Sequence, residues 1–198
     1  GAFDFFSYFK RVGAIVASDA EASDRDVQQP WVLDLDGVND RVDLGAISLG
    51  IDESTAYIEC TFKGVTAGND YLVSPSTGGS SASCFFGLKV LGNKLTVNLA
   101  DGASFEVLSS TTVLNSTTWY TVRVEIIAGF VRFTINGSVE DIARTIVPAY
   151  QNNNWGIGVF GASGILVFNG SIAHVKIGDA TTNYGQYNLN ESSGTIAY

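Results

Sequence analysis

Positive charge is scarce in this chain. Lys and Arg number 11 against 20 Asp and Glu, a formal net charge of −9. A phosphate backbone is held by clustered basic side chains that displace its counterions, and 11 scattered ones build no such surface. The composition therefore argues against a nucleic-acid role. Cysteine is nearly missing as well: Cys60 and Cys84 are the two present. Neither CxxC nor Cys/His spacing occurs, so no thiolate metal site is expected. Both cysteines fall on the inward phase of an alternating segment. Two buried free thiols, packing as small hydrophobes, is the favoured reading. A single disulfide stays open, because sequence does not fix the distance between their Cα atoms. No apolar run approaches the roughly 20 residues that span a bilayer. No basic segment followed by an apolar one opens the chain, so no signal peptide is expected. The one histidine, His174, lies on a predicted strand, and a solvated strand residue is preferred over the base of a nucleophile–histidine triad.

What is present points to β structure. Hydrophobic residues make up 45% of the 198, and 22 are glycine. That is enough for one large all-β domain with a core and many turns. From Trp31 onward the apolar period is two. Leu33 and Leu35 alternate with Asp34 and Asp36, and Ile58, Cys60 and Phe62 with Tyr57, Glu59 and Thr61. Cys84, Phe86, Leu88 and Val90 alternate with outward Gly87 and Lys89, and Leu95, Val97 and Leu99 with Lys94, Thr96 and Asn98. One buried and one wet face per strand is the mark of an antiparallel sandwich. Tyr120, Val122, Val124 and Ile126 followed by Val131, Phe133 and Ile135 read as a hairpin about Ala128-Gly129, with Asn136-Gly137 the next turn. Trp155–Phe160, Ile165–Phe168 and Ile172–Ile177 supply the last strands.

Three divisions follow. Residues 1–30 form an aromatic arm and an acidic linker ending in Pro30, 31–180 the sandwich, and 181–198 a C-terminal segment. In the arm, Phe5, Phe9, Val12 and Val16 recur at helical spacing, so a short amphipathic helix is expected. Phe3, Phe5, Phe6 and Phe9 either pack back on the sandwich or dock into a partner chain. Exposed together they would invite aggregation.

The punctuation of the strands resembles the laminin-G-like, concanavalin A-like jelly-roll modules. The opening L-D-G-x-x-D-x-V is matched at Leu35-Asp36-Gly37, Asp40 and Val42. The central W-x-x-V-x-V and the later N-G are matched at Trp119, Val122, Val124, Asn136 and Gly137. The closing I-G and F-x-G-x-I-x-x-V-x-I are matched at Ile157-Gly158, Phe168, Gly170, Ile172, Val175 and Ile177. The resemblance covers residues 33–178 and implies an antiparallel two-sheet jelly roll, a scaffold more often used for binding than for catalysis. It also implies an occurrence in bacterial surface proteins and in tail or capsid appendages of phage. The expectation is a non-enzymatic structural and adhesive virion protein that meets other virion proteins, or copies of itself, through its arm. The alternative is a bacterial surface or secreted lectin-like domain. One departure stands out: Tyr187–Tyr198 resembles the segment that normally begins such a module, so a permuted strand order, a lost further module or a fragment are the alternatives.

Candidate sites are few. Sugars need aromatic faces beside amides, and Tyr150, Asn152, Asn153, Asn154 and Trp155 supply both within six positions. The competing reading makes Trp155 a core residue and the Asn run a turn. Asp34, Asp36, Asp40 and Asp43 form the densest carboxylate cluster; its spacing is not that of an EF-hand, and the resemblance implies that Asp36 and Asp40 shape a turn rather than hold calcium. Glu59, Glu106, Glu125 and Glu140 stand apart in sequence, so no glycosidase pair of carboxylates is expected. No catalytic residue and no cofactor is expected. The sequons at Asn115, Asn136, Asn169 and Asn190 are explained by composition.

Overall fold

A computed structural model describes residues 32–38, 40–46, 52–65, 68–75, 81–149, 154–160 and 166–189. The described residues hold strands β1 (Leu33–Asp36), β2 (Val42–Ala46), β3 (Tyr57–Lys63), β4 (Asn69–Pro75), β5 (Phe86–Leu91), β6 (Lys94–Ala100) and β7 (Phe105–Val113). They continue with β8 (Tyr120–Ile127), β9 (Phe130–Ile135), β10 (Ser138–Ala143), β11 (Asn154–Ile157), β12 (Asn169–Gly178) and β13 (Asn183–Asn188). A single 3-10 turn, Ser81–Ser83, precedes β5. The arm, with Phe3, Phe5, Phe6 and Phe9 and its expected helix, lies outside the described residues.

Two antiparallel sheets face each other. The first runs β1-β12-β3-β8-β9-β10, with β13 also on β12; the second runs β2-β11-β4-β5-β6-β7. Alternation places Ile58, Cys60, Phe62, Val122, Val124, Val131, Phe133, Ile172 and Val175 of the first sheet inward. They meet Leu88, Val90, Leu95, Val97, Leu99, Trp155 and Ile157 of the second in one buried cluster. Each such side chain contributes about 1.5–3 kcal/mol when fully buried. Cys60 and Cys84 are both buried free thiols.

The turns obey local chemistry. Asn136 (φ 47°) and Gly137 (φ 86°) give the doubly positive turn that suits a two-residue hairpin loop. The Asp36 carboxylate accepts Val38 N–H at 2.8 Å and that of Asp40 accepts Asp36 N–H at 3.0 Å, so both shape the turn after β1. Two motif glycines are steric necessities. Gly37 has φ 78°, and a Cβ there would lie 2.7 Å from that of Asn169. Gly170 has φ 154°, and a Cβ there would strike the Lys63 carbonyl oxygen and lie 2.9 Å from the Gly64 Cα.

The alternation fails in one region. Gly87, Lys89, Thr96 and Asn98 do not form a wet face: Lys89 is only 5% exposed, and Thr96 and Asn98 are fully buried. Cys84 is out of phase with Phe86. It belongs to a separate cluster with Tyr71 and Phe160 on the opposite side of the sheet, where Tyr71 and Phe160 stack at 4.5 Å. The reason is that Cys84 precedes the strand, leaving the 3-10 turn with Cys84 and Phe85 on different sides. Asn98 Nδ2 fastens that turn by donating to the carbonyls of Ser81 (3.0 Å) and Cys84 (3.2 Å). The centre of the second sheet is thus covered on both faces.

Candidate functional site

Among the described residues, the outer face of the first sheet keeps Glu59, Thr61, Thr121 and Arg123 partly or fully exposed. It carries an open depression of about 240 Å³ across β12, β3, β8 and β9, lined by Glu59, Thr61, Thr121, Arg123, Asn136 and His174 among others. Register assembles it. His174 pairs with Thr61, and Thr61 with Thr121, so three outward side chains cross three strands in one row. Lys176, Glu59 and Arg123 form the next row.

Arg123 anchors the floor. Its Nη1 donates to Glu59 and its Nε to Glu125 Oε2 at 3.0 Å. The guanidinium carbon lies 3.8 Å from the centroid of the Tyr57 ring, and Lys176 Nζ lies 5.4 Å from the same centroid. Burial works against the Arg123 charge, but the bonds to Glu59 and Glu125 outweigh it and hold its pKa above the ordinary value. A cation paired with two carboxylates and stacked on a ring is a rigid element.

The far wall is a hydroxyl-amide lattice. Thr61 and Thr121 hydroxyls lie 3.3 Å apart. Asn136 Oδ1 accepts Thr121 N–H at 2.8 Å, its own N–H donates to the Thr121 carbonyl at 2.9 Å, and its Nδ2 donates to the Trp119 carbonyl at 3.3 Å. Such a surface exchanges hydrogen bonds with hydroxyl groups. Among the described residues no cluster of three or more His, Cys, Asp or Glu could hold a metal.

The residues singled out from sequence lie elsewhere. Tyr150, Asn152 and Asn153 are outside the described residues. Asn154 is half-buried and opens β11, opposite Ala46. Trp155 is 1% exposed and packs edge-on against Phe85 at 6.0 Å, so it serves the core and offers no ring face to a ligand. Glu59 and Glu125, apart in sequence, both reach Arg123 because β3 pairs with β8. Glu106 and Glu140 are also engaged. Glu106 accepts Thr145 and Ile146 N–H at 3.0 Å, and Glu140 accepts Thr111 N–H at 2.8 Å, stitching β7 to β10 and the segment after it. The depression did leave a signal: Thr121, Arg123, Glu125 and Glu59, Thr61 are the outward phases of two strong strands. What sequence lacked was the pairing of those strands.

No protein-family model and no curated protein matches the sequence. Solved structures do match the fold. The mouse laminin alpha1 chain, domains LG4-5, aligns with a TM-score of 0.61 at 9% identity, over 85% of this chain and 45% of that one. The CBM40 of Ruminococcus gnavus IT-sialidase, bound to alpha2,3 sialyllactose, aligns at 0.59 and 14% identity, over 75% of this chain and 89% of that one. Full-length tailspike protein 2 of an Escherichia coli O157:H7 bacteriophage aligns at 0.58 and 15% identity, over 83% of this chain and 27% of that one. This chain therefore spans under half of the laminin and tailspike chains. The likeness establishes the architecture.

Proposed function

Starting from a laminin-G-like, concanavalin A-like jelly roll, we propose that this chain is a glycan-binding module whose ligand lies on the outer face of the first sheet. The observation that carries the reading is the Thr61–Thr121–Asn136 lattice, with His174 beside it, on a floor held rigid by Arg123, Glu59, Glu125 and Tyr57. Ordered hydroxyl and amide groups on a stiff sheet bind with little loss of conformational freedom. A structural neighbour that is a carbohydrate-binding module bound to a saccharide supports it. The role is binding and not hydrolysis. Glycoside cleavage needs two carboxylates flanking the bond, one of them protonated. Glu59 and Glu125 both spend an oxygen on the Arg123 guanidinium rather than standing free on either side of a ligand.

The finer reading is a structural and adhesive part of a phage particle, with Phe3, Phe5, Phe6 and Phe9 anchoring the module to other virion proteins or to copies of itself. The tailspike neighbour supports it. The alternative setting is a bacterial cell surface. Within this reading the Tyr150–Asn154 stretch is a further contact.

The test is a glycan array with the full chain and with a Thr61→Val/Thr121→Val variant, which keeps β-branched shape and removes both hydroxyls. Binding should fall at least about tenfold, or about 1.4 kcal/mol, with melting little changed. Undiminished binding by the variant would place the ligand elsewhere. Deleting residues 1–18 should leave glycan binding intact and abolish assembly; normal assembly by the truncated chain would remove the anchoring role.

A further inference from the structure

Trp119 has no role in the core. It is 40% exposed, whereas Trp155 is buried. It stands one residue before Tyr120, whose side chain is buried, and two before Thr121, which lines the depression. Trp119 thus adjoins the end of β8 that borders the depression. The carbonyl of Trp119 is held by the Nδ2 of Asn136, itself a lining residue. The approach to Trp119 is equally fixed. Asn115 Oδ1 accepts the N–H groups of Thr117 (3.0 Å) and Thr118 (2.9 Å), and Asn115 N–H donates to the Tyr120 hydroxyl at 2.9 Å. A large indole is thus left two-fifths exposed beside a polar depression, on a loop tied down by hydrogen bonds. Leaving that much apolar surface exposed gives up burial energy.

The charge of the depression narrows the ligand. Arg123, its guanidinium, faces two carboxylates, Glu59 and Glu125, and is bonded to both. A ligand carboxylate that engaged Arg123 would have to displace one of them and leave it uncompensated, which is costly for partly buried charges. An uncharged sugar asks for no such exchange. It needs an apolar ring face under its C–H groups and hydroxyl and amide partners at its rim.

We propose that Trp119 is the stacking platform of this site and that its ligand class is an uncharged pyranose, with the Thr61, Thr121 and Asn136 side chains meeting its hydroxyls. This rests on the glycan-binding reading above. The sialylated ligand of the structurally similar CBM40 is of the opposite class.

The experiment is calorimetric titration of the full chain with neutral hexasaccharides (maltohexaose, cellohexaose, N-acetylchitohexaose) and with two acidic probes, 3′-sialyllactose and oligogalacturonate. Trp119→Ala, Trp119→Phe and the Thr61→Val/Thr121→Val variant run alongside, with melting checked for each. A neutral hexasaccharide should bind, Trp119→Ala should weaken it at least about tenfold, and Trp119→Phe should retain most of the affinity. Loss of binding in the threonine variant with full binding in Trp119→Ala would overturn the platform and leave the glycan site standing. Preference for an acidic probe would overturn the ligand class alone. Binding of none of these probes by the unaltered chain would overturn this proposal. Array binding that persists outside the site, undiminished by the threonine variant, is what would overturn the reading beneath it.

Discussion

At Gly170 the chain has no room for a side chain. The β3 and β12 backbones meet there so closely that a Cβ would strike the Lys63 carbonyl oxygen, and its φ of 154° is one that L-residues rarely adopt. Gly170→Ala is expected to cost at least about 2 kcal/mol, read as a lowered denaturant midpoint with an unchanged slope. A midpoint equal to that of the parent would refute the close approach. Lys89 is the opposite case, a charged residue inside. Burial pushes its pKa down, a nearby Cys84 acts the other way, and its Nζ sits 5.1 Å from the centroid of the Tyr71 ring. Burial likewise pushes both thiols, Cys60 and Cys84, well above their ordinary range, which makes them inert packing groups.

Among the elements, the turn between β12 and β13 hangs on Asp179. Its carboxylate accepts N–H groups from Asp52 (3.1 Å), Thr181 (2.8 Å) and Thr182 (2.8 Å), and the Tyr184 hydroxyl at 2.9 Å, so one side chain joins this turn to the segment before β3. Burial alone would raise its pKa, but the donated hydrogen bonds prevail and hold it well below the usual carboxylate value of 3.8. A depressed folded-state pKa stabilises the fold fully above 3.8, and that contribution is lost as pH falls through the folded value. Asp179→Asn should therefore melt lower than the parent at neutral pH, by about 2 kcal/mol. The gap should narrow progressively in acid below pH 3.8. A gap that stays constant from neutral to acid pH would show that the charge is not what the donors favour.

On the scale of the whole molecule, one edge of the first sheet is built from two pieces of chain. β13 pairs with β12 from Gly178 back to His174, and β1 pairs with it from Ile172 back to Asn169. Leu189 N–H donates to the Ala173 carbonyl between them at 2.9 Å. Both pieces run in the same direction, so β13 occupies the place in space just ahead of Leu33. A permuted chain that starts at Asn183, joins Leu189 to Leu33 through a short bridge and ends at Thr181 should fold to the same two sheets. It should melt somewhat lower, because the Asp179 turn is opened. An unfolded permutant, judged by far-ultraviolet circular dichroism, would refute the continuity of that edge.

The sequence by itself determined the alternation, and with it the antiparallel sandwich, the inward set from Ile58 to Ile177, the Asn136-Gly137 turn and the buried Cys60 thiol. Each depends on neighbours within a few residues, where period two and the φ demands of turns act directly. Tertiary structure decided what depends on which strands meet. Glu59 and Glu125 look isolated until β3 pairs with β8 and puts Arg123 between them. Trp155 reads either as a ligand residue beside its Asn run or as a core residue until β11 joins the second sheet and closes the core over it. Gly87, Lys89, Thr96 and Asn98 read as a wet face until Tyr71 and Phe160 stack on that side. The physical reason is common to all three. Alternation says that a side chain leaves the sheet on one face or the other, but only packing between segments distant in sequence decides whether that face meets water.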